Sequence, residues 1–140
     1  MIADHSRDYF ADKPFYYTAD DILQIAHLTI QSLQKHLLKD NLIFMDTDLL
    51  NLKIWLEYKG WHTPKWLDKH IIMYRHDLYL LMYPDTPWVN DPLRHNAHNR
   101  EYLFRQFEIM LQQFDCNYRV IKGLGEERKI AAMNHIKPFL

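Results

Sequence analysis

The chain has 140 residues, of which 48% are hydrophobic and 25% charged, and its formal net charge is −1. This length predicts a single domain over residues 1–140 with a buried core, and the small charge argues against a general affinity for nucleic acid or anionic membranes. No apolar run approaches the roughly 20 residues that span a bilayer. The one cysteine, Cys116, excludes an internal disulfide and a cysteine-based metal site. Because the N-terminus also lacks a signal-peptide pattern, a cytoplasmic protein is expected.

The first long predicted element is a helix within residues 17–41. Thr18 is its expected N-cap, and Asp20 and Asp21 lie in the first turn, where carboxylates favour both the cap and the helix dipole. A short run over residues 42–46 follows and is apolar on both faces. Such a run predicts a strand buried in a parallel sheet with helices on each side.

After this strand the pattern predicts a helix to about Tyr58 and a turn at Gly60. A second helix is expected to begin with Thr63 as its N-cap and Pro64 as its first residue. The remaining predicted elements are a strand, a loop, a helix, a strand and a helix, over residues 78–84, 85–99, 100–115, 117–123 and 126–140.

Strands that alternate with helices predict the α/β class, with a parallel sheet flanked by helices. Ligands of such sheets bind at the carboxyl ends of the strands, and Asp46 and Asp48 stand at the end of the first one. Mg²⁺ near a phosphate takes hard oxygen ligands and accepts one or two protein carboxylates. The alternative is that these acids only cap the helix that begins near Leu49, although a cap needs one of the two.

Arginines cluster around the predicted loop over residues 85–99. Arg94, Arg100 and Arg105 carry guanidinium groups that match phosphate oxygens, and a loop that closes over a nucleotide excludes water from it. The competing interpretation is a solvated surface loop whose arginines pair with carboxylates.

Two further patterns are weaker. His95 and His98 are spaced so that both could bind one metal ion from a helical turn, but no third ligand with zinc spacing stands nearby. The glycines of the "GLG" turn, Gly123 and Gly125, resemble half of a dinucleotide fingerprint. This turn is also consistent with an ordinary strand-to-helix connection near a nucleotide base, with Arg128 facing the site.

Several segments together resemble the AAA-type ATPase/kinase domain of bacterial nicotinamide riboside kinases. In chain order, the segments that carry the resemblance are "ADHSRDY", "FMDTDLLNLKIWLEY", "PDTPWVNDPLR", "NREYLFRQF" and "VIKGLGEERKIAAMNHI". They cover nearly the whole chain. The first differs from the family's Glu-Tyr-Ala/Ser-Arg-Asp/Glu-Tyr pattern by having Asp4 and His5 in place of the usual pair.

The resemblance implies ATP-dependent, Mg²⁺-assisted phosphoryl transfer to the ribosyl 5′-hydroxyl of a nicotinamide nucleoside. It assigns Asp46 to the metal or to the attacking hydroxyl, and Arg94 to the charge of the transferring phosphoryl group. The other residues that it assigns to the nucleotide, the acceptor or the covering loop are Asp4, Arg7, Asp48, Trp88, Asp91 and Arg100.

The chain departs from this family at its front. The family opens with a strand, a Gly-x-x-x-x-Gly-Lys-Ser/Thr phosphate loop and a helix, whereas this sequence has no glycine before Gly60 and no lysine followed by serine or threonine. We therefore expect the first strand, phosphate loop and first helix, roughly 30–40 residues, to be missing, and the chain alone to be inactive. Two alternative functions stay open. One is a non-catalytic binding or regulatory remnant, and the other is a metal-dependent hydrolase that uses the two acids and the histidines.

In the family, the missing strand lies between the strands that match residues 42–46 and 78–84. Its absence is expected to leave open sheet edges, which favour pairing with another chain and hence a homo-oligomer. Met1–Asp4 is expected at the outer side of the sheet.

Overall fold

The computed structural model describes residues 1–12, 16–89 and 99–140. These residues form two compact units, Met1–Tyr74 and Arg75–Leu140. The helices and strands, in chain order, are α1 (Ser6–Phe10), α2 (Ala19–Leu37), α3 (Leu49–Tyr58), α4 (Lys65–Met73), β1 (Tyr79–Met82), α5 (Arg100–Gln113), β2 (Tyr118–Ile121) and α6 (Gly125–Ile136), followed by a 3₁₀ turn (Lys137–Phe139). The α/β class predicted from the sequence is confirmed, while the single domain stays a prediction.

In the first unit, helix α3 is buried on most of its surface, and α2 and α4 pack against it. This packing follows from the sequence, because most residues of α3 are apolar whereas α2 carries an apolar stripe and a polar face. The buried apolar side chains of the three helices are Ile22, Ile25, Ala26, Ile30, Leu33, Leu49, Leu50, Leu52, Ile54, Leu56, Leu67 and Ile71.

Helix α2 begins at the predicted N-cap. The Thr18 hydroxyl accepts a hydrogen bond from the backbone N–H of Asp21 at 3.3 Å, and the Asp21 carboxylate accepts one from the backbone N–H of Thr18 at 2.9 Å. This reciprocal pair is a capping box, which satisfies two backbone donors that the helix itself leaves without partners.

Replacing Thr18 with alanine is expected to lower the free energy of unfolding by about 1 kcal/mol, because the capping bond to Asp21 is lost. Urea unfolding followed by circular dichroism measures this change. Gln31→Ala, at an exposed position of the same helix, is the matched control and is expected to change stability by less than about 0.5 kcal/mol. Equal losses in the two variants would contradict the role of the cap.

The predicted strand over residues 42–46 is reduced to one parallel β-bridge, between Ile2 and Met45. Leu42 and Phe44 are 44% and 45% exposed, so the segment is covered on one face rather than two. The prediction of a fully buried strand was therefore wrong for the described residues. An apolar pattern indicates that a segment can be buried, but a regular strand also requires neighbours that satisfy its backbone groups.

Helix α4 also begins one residue later than predicted. Pro64 is its N-cap, with extended backbone and no side-chain capping bond, and Lys65 is its first residue. The Thr63 hydroxyl is buried and has no hydrogen-bond partner among the residues that the structure describes. The predicted turn at Gly60 is present, with a φ of 70° that favours glycine.

The second unit contains a two-stranded parallel sheet. Strands β1 and β2 pair in register from Tyr79 opposite Tyr118 to Met82 opposite Ile121, and α5 lies in the crossover between them, as parallel strands require. Helix α6 packs against β2. Both strands were predicted from the sequence, and each is shorter in the structure than in the prediction.

Across the ranges 1–12, 16–89 and 99–140, no helix is both long and apolar enough to cross a membrane. The homo-oligomer expected from open sheet edges stays a prediction.

Candidate functional site

The bridge between Ile2 and Met45 sets the position of the first candidate acid. The backbone N–H of Ile2 donates to the Phe44 carbonyl at 2.7 Å, and the N–H of Asp46 donates to the Ile2 carbonyl at 2.9 Å. The two segments run parallel, so both leave the bridge in the same direction. Asp46 therefore stands at the carboxyl end of this parallel pair, where α/β proteins place their ligands.

Asp46 and Asp48 have different roles in the structure. The Asp48 carboxylate accepts hydrogen bonds from the backbone N–H groups of Leu50 at 3.1 Å and Asn51 at 3.2 Å, and so caps helix α3. The Asp46 side chain is exposed, and no other described residue forms a hydrogen bond or an ion pair with its carboxylate. The capping interpretation thus accounts for Asp48 and leaves Asp46 available to a ligand.

Thr47 separates the two acids and adopts a left-handed backbone conformation, with a φ of 65°. This region is rare for a β-branched residue and costs of order 1–3 kcal/mol. The Thr47 hydroxyl donates a hydrogen bond to the Asp46 carbonyl at 2.5 Å. The turn at Thr47 lets Asp48 reach the N-terminus of α3 while Asp46 stays in the bridge.

Asp4 and Arg7 follow Ile2 on the opposite segment. The Asp4 carboxylate accepts hydrogen bonds from the backbone N–H of Ser6 at 2.8 Å and from the Ser6 hydroxyl, at the start of α1. Arg7 is an exposed residue of α1. Their predicted role, near the acceptor or the phosphates, stays a prediction.

In the second unit, Arg128 connects the carboxyl ends of β1 and β2. Its guanidinium donates to the Gly123 carbonyl at 2.7 Å, to the Tyr83 carbonyl at 2.9 Å and to the Asp85 carboxylate. Asp85 also accepts a hydrogen bond from the Gly123 N–H at 2.8 Å. The Gly123 N–H, and then the Arg128 charge, hold the pKa of Asp85 below its ordinary value.

Arg100, the first residue of α5, binds the segment that follows β1. Its guanidinium donates to the Thr86 carbonyl at 2.7 Å and to the Thr86 hydroxyl at 3.3 Å. Trp88, two residues further on, is 38% exposed. The remaining predicted residues of this loop, Asp91 and Arg94, lie outside the described residues, as do His95 and His98.

Asp85 is a residue that sequence reasoning missed. It lies three residues after the end of β1, much as Asp46 follows Met45, and an acid just beyond a buried strand was the signal used to select Asp46. Its contacts with Gly123 and Arg128 span about 40 residues of sequence, so the motif itself gave no sign of them.

No group of three or more histidines, cysteines, aspartates or glutamates is arranged to hold a metal ion within the described parts of the chain. A cation at Asp46 would therefore take most of its ligands from water and from phosphate oxygens, which is how Mg²⁺ is commonly held beside a nucleotide.

An α/β fold with a free carboxylate at the carboxyl end of a parallel pair is typical of nucleotide-binding domains. The family described as "AAA domain" matches residues 1–128. The chain belongs to this family and is thus a P-loop NTPase-like, nucleotide-binding domain. Among curated proteins no match is found.

Proposed function

We propose that this domain serves phosphoryl transfer from ATP to the ribosyl 5′-hydroxyl of a nicotinamide riboside-like nucleoside. Its membership of the AAA domain family supports nucleotide binding, and the segments quoted above support the choice of acceptor. The observation that carries the proposal is that Asp48 alone caps α3, so that the Asp46 carboxylate is not needed for the cap.

The residues present fit one part of a Mg²⁺ site. Asp46 offers an exposed carboxylate with no competing partner among the described residues, and a hard oxygen donor is what this ion prefers. When bound, Mg²⁺ would neutralise charge on the phosphates. In this proposal Asp46 holds the ion or orients the attacking hydroxyl, and Arg94 and Arg100 neutralise charge on the phosphoryl group.

Trp88 and Asp91 shape the loop that covers the nucleoside in this proposal, and Asp4 and Arg7 lie on the acceptor side. Arg128 lies near the nucleotide base. ATP and the nicotinamide nucleoside are both substrates, and the triphosphate of ATP requires a cradle of backbone N–H groups. The 140 residues contain no Gly-x-x-x-x-Gly-Lys-Ser/Thr motif that would supply this cradle.

The absence of that motif favours a second candidate, a non-catalytic binding or regulatory module that retains the AAA scaffold. The two candidates differ in what an added phosphate loop restores. A latent kinase regains turnover with an added loop, whereas a regulatory module gains only affinity for nucleotide.

For residues 1–140, we expect Mg-ATP affinity to be far weaker than that of an intact kinase domain, because the triphosphate lacks its cradle. Isothermal titration calorimetry measures this affinity, and a dissociation constant in the micromolar range would contradict the expectation. Joining a matching strand, phosphate loop and helix to the N-terminus is expected to restore phosphorylation of nicotinamide riboside. A coupled enzyme assay that detects ADP measures this activity. Tight ATP binding without turnover by that fusion would favour the regulatory module instead.

A further inference from the structure

The structure places four groups together at the carboxyl ends of β1 and β2: the Asp85 carboxylate, the Arg128 guanidinium, the Gly123 peptide and the Tyr83 carbonyl. We call this set the Asp85 clamp. It joins the segment after β1 to the turn between β2 and α6, just beyond the strand pairing that ends at Met82 and Ile121. The Lys122 ammonium, 4.7 Å from the centre of the Tyr83 ring, adds a weaker contact between the same two segments.

We propose that Asp85 and Arg128 act as positioning residues, which hold these two segments in one arrangement at the edge where the nucleotide binds. The nucleotide part of this inference rests on the proposed function, but the clamp itself does not. On this view the guanidinium of Arg128 acts on the ligand through the backbone that it holds, rather than as a direct ligand of the nucleotide.

The geometry of Arg128 supports a positioning role. Three of its N–H groups are directed at oxygen atoms of the clamp, two of them backbone carbonyls. Backbone acceptors cannot move away independently of the chain, so the guanidinium fixes the two segments relative to each other. Its planar fork of donors makes such multiple contacts at low entropic cost.

The clamp differs from an ordinary surface ion pair of the same unit. The Arg128 and Asp85 side chains are 19% and 28% exposed. In the pair of Arg75 with Asp115, the charged atoms are 3.6 Å apart and the Asp115 side chain is 100% exposed. Exposed pairs of the second kind contribute little, so Arg75 and Asp115 supply a matched control.

The hydrogen bond from the Gly123 N–H to Asp85 reports on the clamp directly. Gly123 has a φ of 96°, and its N–H donates to the Asp85 carboxylate at 2.8 Å. If Asp85 and Arg128 act as one device, the loss of either releases this N–H. If Arg128 is instead a nucleotide ligand that merely lies near Asp85, the loss of Arg128 and the loss of Asp85 have different effects on this N–H.

The first test is amide hydrogen exchange of Gly123, measured by NMR on the 140-residue chain without nucleotide. Asp85→Ala and Arg128→Lys are each expected to accelerate this exchange by about tenfold or more, since each removes a charge-assisted hydrogen bond of the clamp. The double variant is expected to exchange no faster than either single variant, because both act on one device. Asp115→Ala is expected to leave Gly123 unchanged.

Unchanged exchange at Gly123 in Asp85→Ala, or additive acceleration in the double variant, would overturn the clamp. A variant that fails to fold is recognised by loss of its dispersed NMR spectrum, and Asp85→Asn, which keeps the size of the side chain, then replaces Asp85→Ala in the comparison.

The second test is an NMR titration of the same variants with millimolar Mg-ADP, which detects weak binding. The positioning role predicts that Asp85→Ala and Arg128→Lys weaken binding by the same factor. A direct ligand role for Arg128 predicts a different result: Mg-ADP binding becomes weaker in Arg128→Lys but is unchanged or tighter in Asp85→Ala, which releases the guanidinium from Asp85. That result would overturn the inference. Absence of binding by the unsubstituted chain would count against the proposed function, and the exchange measurement would then decide the clamp.

Discussion

Replacing Asp46 with asparagine is expected to lower kcat of the kinase restored by an added phosphate loop by roughly 100-fold or more, because the carboxylate that holds the metal or the attacking hydroxyl is lost. The free energy of unfolding is expected to change by less than about 0.5 kcal/mol, since the Asp46 side chain is exposed and its carboxylate forms no hydrogen bond or ion pair with another described residue. Steady-state kinetics and urea unfolding of the same protein measure the two quantities.

Asp48→Ala is the matched control at the neighbouring acid. Loss of its capping bonds to α3 is expected to cost about 1 kcal/mol of stability, with a smaller effect on kcat than Asp46→Asn. The pair of variants thus separates a catalytic acid from a capping acid. Full turnover in Asp46→Asn would show that this acid has no part in the reaction.

The second large effect is expected at Lys53, a charged residue of the core helix α3. Its side chain is 11% exposed, and its ammonium lies 2.9 Å from both Glu57 and Asp68, which connects α3 to α4. Burial by itself would lower the pKa of Lys53. The hydrogen bonds to Glu57 and Asp68 outweigh burial, so this pKa lies above its ordinary value.

The double substitution Glu57→Gln and Asp68→Asn leaves the Lys53 ammonium buried without a counter-charge. We expect this to cost about 2–4 kcal/mol of stability, somewhat below the usual cost of breaking a buried pair because both carboxylates are partly exposed. Lys53→Met removes the charge and keeps the packing, so its expected cost is less than about 1 kcal/mol. Urea unfolding at neutral pH compares the two variants, and a larger loss in Lys53→Met would contradict this account.

The raised pKa of Lys53 also gives a pH dependence with a definite sign. Its contribution to stability is fully present below the ordinary value of 10.5 and is lost as the pH rises through the higher value in the folded chain. Above pH 10.5, the free energy of unfolding is therefore expected to fall more steeply in the unsubstituted chain than in Lys53→Met. Parallel curves for the two proteins would mean that Lys53 does not titrate in this way.

Several features of the chain were determined by local sequence alone. The start of α2 at Thr18 follows from a capping box within four residues, and the first strand of the parallel sheet follows from the apolar run within residues 78–84. The α/β class follows from the order of these elements. Each of these features depends on interactions between residues close in sequence or on a periodic pattern, and both can be read without knowing the fold.

Tertiary structure decided the rest. From the residue pattern alone either Asp46 or Asp48 could cap α3, and the bridge of Ile2 with Met45 together with the turn at Thr47 separated the cap from the free carboxylate. The same bridge is all that forms of the strand predicted over residues 42–46, because a strand needs neighbours that its own residues do not specify.

The contacts of Arg128 show the same limit most clearly. From the sequence it was a candidate nucleotide ligand, and in the structure its guanidinium binds Tyr83 and Asp85, more than 40 positions away along the chain. No local pattern encodes such a contact, because it exists only after β1 and β2 have paired. The sequence by itself thus determined which residues carry charge and which segments are helical or extended, and the pairing of distant segments decided which of those charges are bound by the protein and which are left for a ligand.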